Sequence, residues 1–341
     1  ENYMLRCIQL AENGLGNTYP NPLVGSVIVY KNKIIGEGWH YQSGMPHAEV
    51  NAIASVKNQS LLKDATIYVS LEPCSHFGKT PPCANLIIEK GIKTVIIGSM
   101  DPNPKVAGNG IKFLKDHGSN VVERVLEKEC NKLNKRFFTF FKKQRPYIIL
   151  KWAESSDGFI SPKGKTEKRP VWITNKKSRQ LVHKWRAEES SILIGTNTAI
   201  EDNPSLTTRD WEGNSPIRLV IDKSLKTPID TNVFDLKAKT IIITEVSKEN
   251  EKNVVYELID FSKNIATQII ELIYRYKIQS LIIEGGAKTL QTFIDKNLWD
   301  EARIIKGIPF FKEGTKAPFI NGKICSESKI KQDTLKIVLN D

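Results

Sequence analysis

The pattern that most limits how this chain can fold is His47-Ala48-Glu49, followed by Pro73-Cys74 and then, beyond eight further residues, Cys83 in Pro82-Cys83. One imidazole and two thiolates are the three protein ligands that a tetrahedral zinc ion accepts when a water holds its fourth position. Meeting at one ion would oblige three separate segments to converge, whatever the rest of the chain does. Glu49 lies two residues past the His on the same short segment, so it can stand beside that water without binding the metal. Zinc lowers the pKa of the water, and Glu49 can carry its proton to a departing amine. The competing reading is a buried His with two inert core cysteines. Against it stand the coincidence of the His, the Glu, both Pro-Cys pairs and a strand-like run before the first Cys.

A His-x-Glu with a Pro-Cys and a second Cys is the pattern of zinc-dependent base deaminases, in which the Glu is the general acid and base. The spacing between the cysteines is wider here than the usual Cys-x-x-Cys, so the intervening loop is enlarged. It carries His76, Lys79 and Thr80. An imidazole, an ammonium and a hydroxyl suit a phosphorylated substrate better than a bare nucleobase. Five cysteines occur, Cys7, Cys74, Cys83, Cys130 and Cys325. An odd count without a secretory leader fits a reducing compartment and metal use better than a disulfide framework, so a cytoplasmic protein is expected. No apolar run reaches the roughly 18 residues of a membrane span. The formal charge of +12 raises nucleic acid as a partner. The lysines are scattered through both halves, however, and no basic stripe with interleaved aromatics forms. A phosphorylated small ligand is the simpler expectation.

A chain of 341 residues can hold two domains with separate cores. Arg145-Pro146 marks the boundary, giving domains 1–144 and 145–341. In the first, residues 2–13 have the apolar spacing of an amphipathic helix. Pro20-Asn21-Pro22 cannot be helical and leads into a hairpin of strands 24–30 and 33–38. Asn21 suits either a pyrimidine edge or an Asn-Pro turn. Helix 47–57 would place His47 and Glu49 in its first turn, where the helix dipole also favours a carboxylate. Strand 66–71 would deliver Cys74, and helix 83–90 would hold Cys83 at its N-terminus, where thiolates are stabilised. Strand 93–98 and helix 108–117 follow, and Asp101-Pro102-Asn103-Pro104 reads as a turn near the strand ends. This alternation predicts an α/β/α sandwich with the metal at one edge. Residues 123–143 read as one long helix ending in Phe137, Phe138, Phe140 and Phe141. That cluster suggests a core or interdomain contact, and if exposed it would favour a homo-oligomer, a dimer or tetramer.

The second half reads as strand 147–153, a Lys- and Gly-rich loop at 163–169, helix 175–187, strand 191–194, strands 217–221 and 240–244, and helix 263–276. Apolar strand 280–283 then runs through Glu284-Gly285-Gly286 into helix 287–296. A strand, glycines and a helix start can form an anion site, because free backbone amides point outward there. A plain tight turn is the alternative. No Gly-x-Gly-x-x-Gly is present, so an ordinary dinucleotide fold is not supported. Strands alternating with helices argue for a mainly parallel α/β sheet.

Taken together, these residues resemble the RibD family of riboflavin biosynthesis, which fuses a pyrimidine deaminase to a reductase, and the resemblance covers nearly the whole length. It rests on His47-Ala48-Glu49 with Leu71-Glu72-Pro73-Cys74-Ser75-His76 through Thr80-Pro81-Pro82-Cys83. In the second half it rests on Trp172-Ile173-Thr174, Arg186-Ala187, Thr198, Asp202-Asn203-Pro204, Leu206-Thr207 and Arg209. The resemblance implies a cytidine-deaminase-like α/β/α sandwich followed by a dihydrofolate-reductase-like α/β domain. It assigns His47, Cys74 and Cys83 to one zinc ion, Glu49 to proton transfer, and Asn21, His76, Lys79 and Thr80 to the deaminase substrate. It further implies NADPH as cofactor, held by Trp172, Thr198, Asp202 and the turn and helix start Gly286, Ala287, Lys288, Thr289, Leu290, Gln291 and Thr292. Arg186, Leu206, Arg209 and Glu284 would face a phosphorylated substrate, two arginines suiting an oxyanion.

Three features depart from the family or stand outside it. Arg169-Pro170-Val171 precedes Trp172 where polar residues are usual. Glu154 stands beside the nicotinamide position where a small residue is common. Lys223, after strand 217–221, could take the cofactor's 2′-phosphate or be a surface lysine. The expected chemistry is deamination of 2,5-diamino-6-ribosylamino-4(3H)-pyrimidinone 5′-phosphate, then NADPH-dependent reduction of its ribosyl chain to ribityl. A nucleic-acid deaminase acting on a flipped base would leave the second half without a task. A non-catalytic zinc-stabilised binding protein would need a fourth protein ligand, for which His76 is the nearest candidate.

Overall fold

Helices and strands are interspersed along the computed structural model, which describes residues 1–75, 81–104, 106–165 and 170–340. The chain divides into two compact units, Glu1–Gln144 and Arg145–Asp341. In the first, the elements are α1 (Asn2–Glu12), β1 (Gly25–Tyr30), β2 (Lys33–Trp39), α2 (Ala48–Ser55), β3 (Thr66–Leu71), α3 (Cys83–Glu89), β4 (Thr94–Ser99), α4 (Asn109–Asp116), β5 (Asn120–Val122), α5 (Glu127–Leu133) and α6 (Lys135–Lys143). The strands form one sheet in the order β2-β1-β3-β4-β5. β1 runs antiparallel to both neighbours, and β3, β4 and β5 are parallel.

Strand parity builds the two layers, because alternate side chains leave opposite faces of a sheet. Ile28, Ile67, Val69, Val95 and Ile97 pack under Ala52 and Ile53 of α2, Ala84 and Ile87 of α3, and Leu114 of α4. The intervening Val27 and Val29 pack with Met4, Cys7 and Leu10 of α1 and Cys130 of α5. Gly38 lets α2 approach the sheet, since a Cβ there would lie 2.4 Å from the Ala52 backbone nitrogen. The result is the three-layer sandwich expected from sequence.

The expected single helix over 123–143 is two helices, and Asn134 is the reason. Its backbone leaves helical geometry, and its buried side chain is committed elsewhere. Oδ1 accepts from Leu23 N and Nδ2 donates to Leu23 O, both at 2.8 Å. The phenylalanine cluster is also not the exposed patch that would favour self-association. Phe137 and Phe140 are buried, Phe138 and Phe141 are half-buried, and the Phe137 and Phe141 rings lie 4.7 Å apart.

The second unit contains β6 (Tyr147–Glu154), β7 (Phe159–Pro162), α7 (Lys176–Glu188), β8 (Ser191–Gly195), α8 (Thr196–Glu201), β9 (Ile217–Ile221), β10 (Thr240–Thr244), β11 (Val254–Leu258), α9 (Ile265–Arg275), β12 (Ser280–Gly285), α10 (Ala287–Ile294), β13 (Glu301–Lys306), β14 (Gly314–Lys316), β15 (Lys323–Ile330) and β16 (Asp333–Leu339). Nine strands form a sheet in the order β11-β10-β9-β8-β12-β6-β13-β16-β15, and β14 pairs with β7 apart from it. The first seven strands of that order are parallel, while β16 is antiparallel to both its neighbours. Buried on both faces, the parallel strands read as nearly continuous apolar runs, as such sheets do. α9 and α10 cover one face with Ile269, Ile273, Leu290 and Phe293. α7 covers the other with Val182 and Trp185. No described helix is long and apolar enough to cross a membrane.

Candidate active sites

His47 is the N-cap of α2, in extended backbone, with Glu49 in the first turn behind it. Cys74 follows the end of β3, and Cys83 opens α3. The sequence therefore delivers the three residues from a helix start, a strand end and a second helix start. His47 Nδ1 lies 3.6 Å from Cys74 Sγ and 3.4 Å from Cys83 Sγ. Together these three are a group able to hold a metal ion, their ligand atoms lying within 4.8 Å of one another. A tetrahedral zinc with bonds of about 2.3 Å to sulfur and about 2.05 Å to nitrogen separates those atoms by about 3.6 Å, so the cluster fits zinc. The Cys83 amide donates to Cys74 Sγ at 3.3 Å, a contact that favours a thiolate. The Cys74 thiol is drawn down to about 4, chiefly by hydrogen bonding from Cys83 and also from His47.

Glu49 is buried, and burial pushes its carboxyl up to about 7, with the Cys74 charge adding to the shift. A carboxyl poised there can both take and give a proton near neutrality. Asn21 lies at the same edge: its Nδ2 is 3.0 Å from His40 Nε2, and the His40 ring stands edge-on to His47, centroids 5.3 Å apart. His76, Lys79 and Thr80 lie outside the described residues.

Two residues here were given no role of their own by the sequence. His40 is one. The other is Glu72, a buried carboxylate that accepts backbone N–H groups from Asp101 (3.2 Å), Gly108 (2.9 Å), Gly110 (2.9 Å) and Ile111 (3.2 Å). It ties the turn beginning at Asp101 and the start of α4 to the residue pair that precedes Cys74. Gly110 makes the approach possible, since a Cβ there would lie 2.0 Å from Pro73 O. Burial raises the Asp101 carboxyl itself to about 7.

In the second unit, Glu284 stands near the end of β12 with Arg186 of α7. Arg186 Nε and Nη2 donate to its two carboxylate oxygens at 3.2 and 2.8 Å. Lys151 of β6 puts its ammonium 3.9 Å from the same carboxylate. Burial alone would raise the Glu284 carboxyl, but Arg186 and Lys151 outweigh it and hold the group at about 2. Burial lowers the Lys151 ammonium from its ordinary value. Lys151 was missed from sequence because a lysine inside a strand looks like any other. Arg186 Nη1 also donates to Thr207 O at 3.4 Å, so its guanidinium is already engaged. Leu206 is buried in the core with a left-handed backbone (φ 56°), which leaves its main chain as the part able to meet a ligand. Arg209 is exposed, and its amide donates to His183 Nδ1 at 3.1 Å.

Of the residues expected at the cofactor, those at the start of α8 and the start of α10 come together. A Cβ on Gly286 would lie 3.4 Å from Thr198 Oγ1, and one on Gly195 would lie 2.7 Å from Thr289 Oγ1. The start of α8 and the start of α10 therefore approach as closely as glycine allows. Gly285 has φ 129°, outside the range of other residues. Ala287, Lys288 and Thr289 form the first turn of α10. Leu290 is fully buried, Gln291 donates to Asp295, and the Thr292 hydroxyl donates to Lys288 O. Asp202 is ion-paired with Lys165. A groove of about 900 Å³ adjoins that pair, lined among others by Phe159, Ser161, Lys163, Lys165, Glu201 and Lys316. Trp172 is 59% exposed with the Arg179 guanidinium stacked 4.2 Å from its ring. Glu154 accepts from Trp152 Nε1 at 2.9 Å. Lys223 is exposed and pairs with Glu245 at 3.4 Å.

A cluster able to hold a metal beside a buried carboxyl in one unit, and glycine turns between strand ends and helix starts in the other, suit a deaminase fused to a reductase. Comparison with known proteins agrees. Residues 1–99 match the cytidine and deoxycytidylate deaminase zinc-binding region, and residues 146–311 match the RibD C-terminal domain. The riboflavin biosynthesis protein RibD of Aquifex aeolicus is 40% identical over 325 residues, 92% of this chain and 88% of that protein. RibD of Escherichia coli is 35% identical over 320 residues, 88% and 85% of the two chains. A solved Thermotoga maritima structure, a diaminohydroxyphosphoribosylaminopyrimidine deaminase/5-amino-6-(5-phosphoribosylamino)uracil reductase, superposes with a TM-score of 0.91 at 37% identity, covering 100% of this chain and 98% of that one. Acinetobacter baumannii RibD superposes at 0.89 with 29% identity and the same coverage.

The chain belongs to the RibD family, the bifunctional deaminase–reductases of riboflavin biosynthesis. Zinc and NADPH are the cofactors of such a chain.

Proposed function

We propose that this enzyme deaminates 2,5-diamino-6-ribosylamino-4(3H)-pyrimidinone 5′-phosphate and then reduces the ribosyl chain of the product to ribityl. The observation that carries the first step is the buried Glu49, two residues beyond His47 of a His/Cys/Cys cluster of zinc dimensions. Zinc held by His47, Cys74 and Cys83 would supply the acidity that turns a water into a nucleophile at neutral pH. Glu49 takes that proton and returns it to the leaving amine, so that ammonia departs as the ring carbonyl forms. Asn21 orients the ring edge, and His76, Lys79 and Thr80 would hold the phosphate end.

NADPH supplies the hydride for the second step, and the protein orients both partners. Opening the ribose leaves a ring oxygen in need of a proton. Lys151 would donate it; its ammonium lies 3.9 Å from Glu284 with a pKa lowered by burial, which supports that role. Arg186 fixes Glu284, and Arg209, exposed nearby in sequence, is left to meet the substrate phosphate. Trp172, Thr198, Asp202, Lys223 and the α10 start from Gly286 to Thr292 frame the cofactor, with Glu154 at the nicotinamide end. The working enzyme is a cytoplasmic homo-oligomer that binds no nucleic acid. Supporting association, Ile308, Phe310, Phe319 and Ile324 are each more than half exposed in the second unit.

Glu49→Ala tests the carrying observation. It is expected to abolish ammonia release while the purified variant keeps one zinc per chain. Full activity in the variant, or loss of the metal with the activity, would contradict the role given to Glu49.

A further inference from the structure

His40 follows β2 directly and is 3% exposed. Both of its ring nitrogens are engaged: Nδ1 lies 3.1 Å from Pro46 O, and Nε2 lies 3.0 Å from Asn21 Nδ2. A carbonyl oxygen brings no hydrogen, so Nδ1 must carry the proton. In the neutral ring Nε2 is then the acceptor, and it can be met only by the N–H end of an amide. An amide with one end fixed has its other end fixed too, and for Asn21 that end is Oδ1, an acceptor. Pro46 O is itself held in place, because Asn51 of α2 donates to it at 3.3 Å and to Trp39 O at 2.8 Å. The orientation of Asn21 is thus anchored to the helix that carries Glu49.

We infer that His40 is a positioning residue of the deaminase site, which turns the Asn21 amide so that its oxygen faces the substrate. An acceptor there selects a pyrimidine that presents, on the facing edge, an N–H beside the reacting carbon. A ring with a bare nitrogen at that place would set lone pair against lone pair. This specificity rests on the deaminase reading above, whose substrate, a 4(3H)-pyrimidinone, flanks the carbon that loses its amine with N3–H on one side and a bare N1 on the other, so that Asn21 Oδ1 is matched to the N3 edge.

Two measurements test it, both on the full-length, zinc-loaded protein. The first is kcat/KM for ammonia release, with zinc content as the check on folding. His40→Leu removes the acceptor that fixes the Asn21 amide, and kcat/KM should fall roughly tenfold at full zinc content. Asn21→Ala should lose at least as much, and the double variant should lose no more than Asn21→Ala alone, because His40 acts only through Asn21, a coupling that two merely structural lesions would not show. An unimpaired His40→Leu enzyme, or a double variant in which the two losses simply add, would overturn the inference. The second is the ring ¹⁵N spectrum of His40, assigned by its disappearance in His40→Leu. A protonated Nδ1 and bare Nε2 are expected. The opposite tautomer would overturn the positioning role, whatever the kinetics. Wild-type protein showing the expected tautomer yet releasing no ammonia would remove the deaminase reading, and with it the substrate selection assigned to Asn21.

Discussion

A carboxylate held between two cations titrates differently from one in water, and Glu284 shows how far. Its folded pKa is about 2 against an ordinary 4.5. The group is depressed, so the stability it contributes is fully present above pH 4.5 and drains away as pH falls from there through about 2. Glu284→Gln removes the charge and leaves Arg186 and Lys151 buried without it. The expected loss near neutral pH is on the order of 3 kcal/mol, the scale for breaking one side of a buried pair. Urea unfolding of wild type and variant should show that gap shrinking as pH is lowered across the window. A gap independent of pH would mean that the ion pair contributes nothing to folding. The same variant should lose NADPH oxidation, because the Lys151 ammonium then has no counter-charge.

At the level of elements, Glu72 does the most with one side chain. Four backbone amides converge on it, so Glu72→Ala would leave them buried and unpaired beside Cys74. We expect a loss of about 2–4 kcal/mol and a weaker hold on zinc, measured by thermal unfolding and by competition with a chelator. Unchanged zinc affinity would show that the Asp101 turn and the Cys74 segment are independent. Glu72 enters the sequence reading only as part of the Leu71–Cys74 motif, and its part in gathering amides does not show there, since a Glu before Pro-Cys looks like a surface carboxylate until the fold buries it. His40 and Lys151 were illegible for the same reason. The periodic elements were another matter: apolar runs bounded by Gly and Pro located β3, β4, α3, β12 and α10 to within a residue or two. Within the stretch after residue 297, β15 resisted reading because it is almost wholly exposed. A strand with no buried face shows no alternation to detect. Asn134 broke a helix through a contact with Leu23, far away in sequence, which local pattern cannot foresee.

For the molecule as a whole, the two chemistries occupy two units of one chain. The His/Cys/Cys cluster lies in the first, and the Lys151–Glu284–Arg186 cluster lies in the second. Stripping zinc with a chelator should therefore abolish ammonia release yet leave NADPH oxidation intact when the deaminated product is supplied. Loss of both would show that the reductase unit depends on the metal. The most direct test of the account follows ammonia and NADPH together in one reaction, starting from the diaminopyrimidinone phosphate. Ammonia released without NADPH, and NADPH oxidised only after ammonia appears, is the predicted course. NADPH consumed ahead of ammonia, or no ammonia at all from zinc-loaded enzyme, would contradict it.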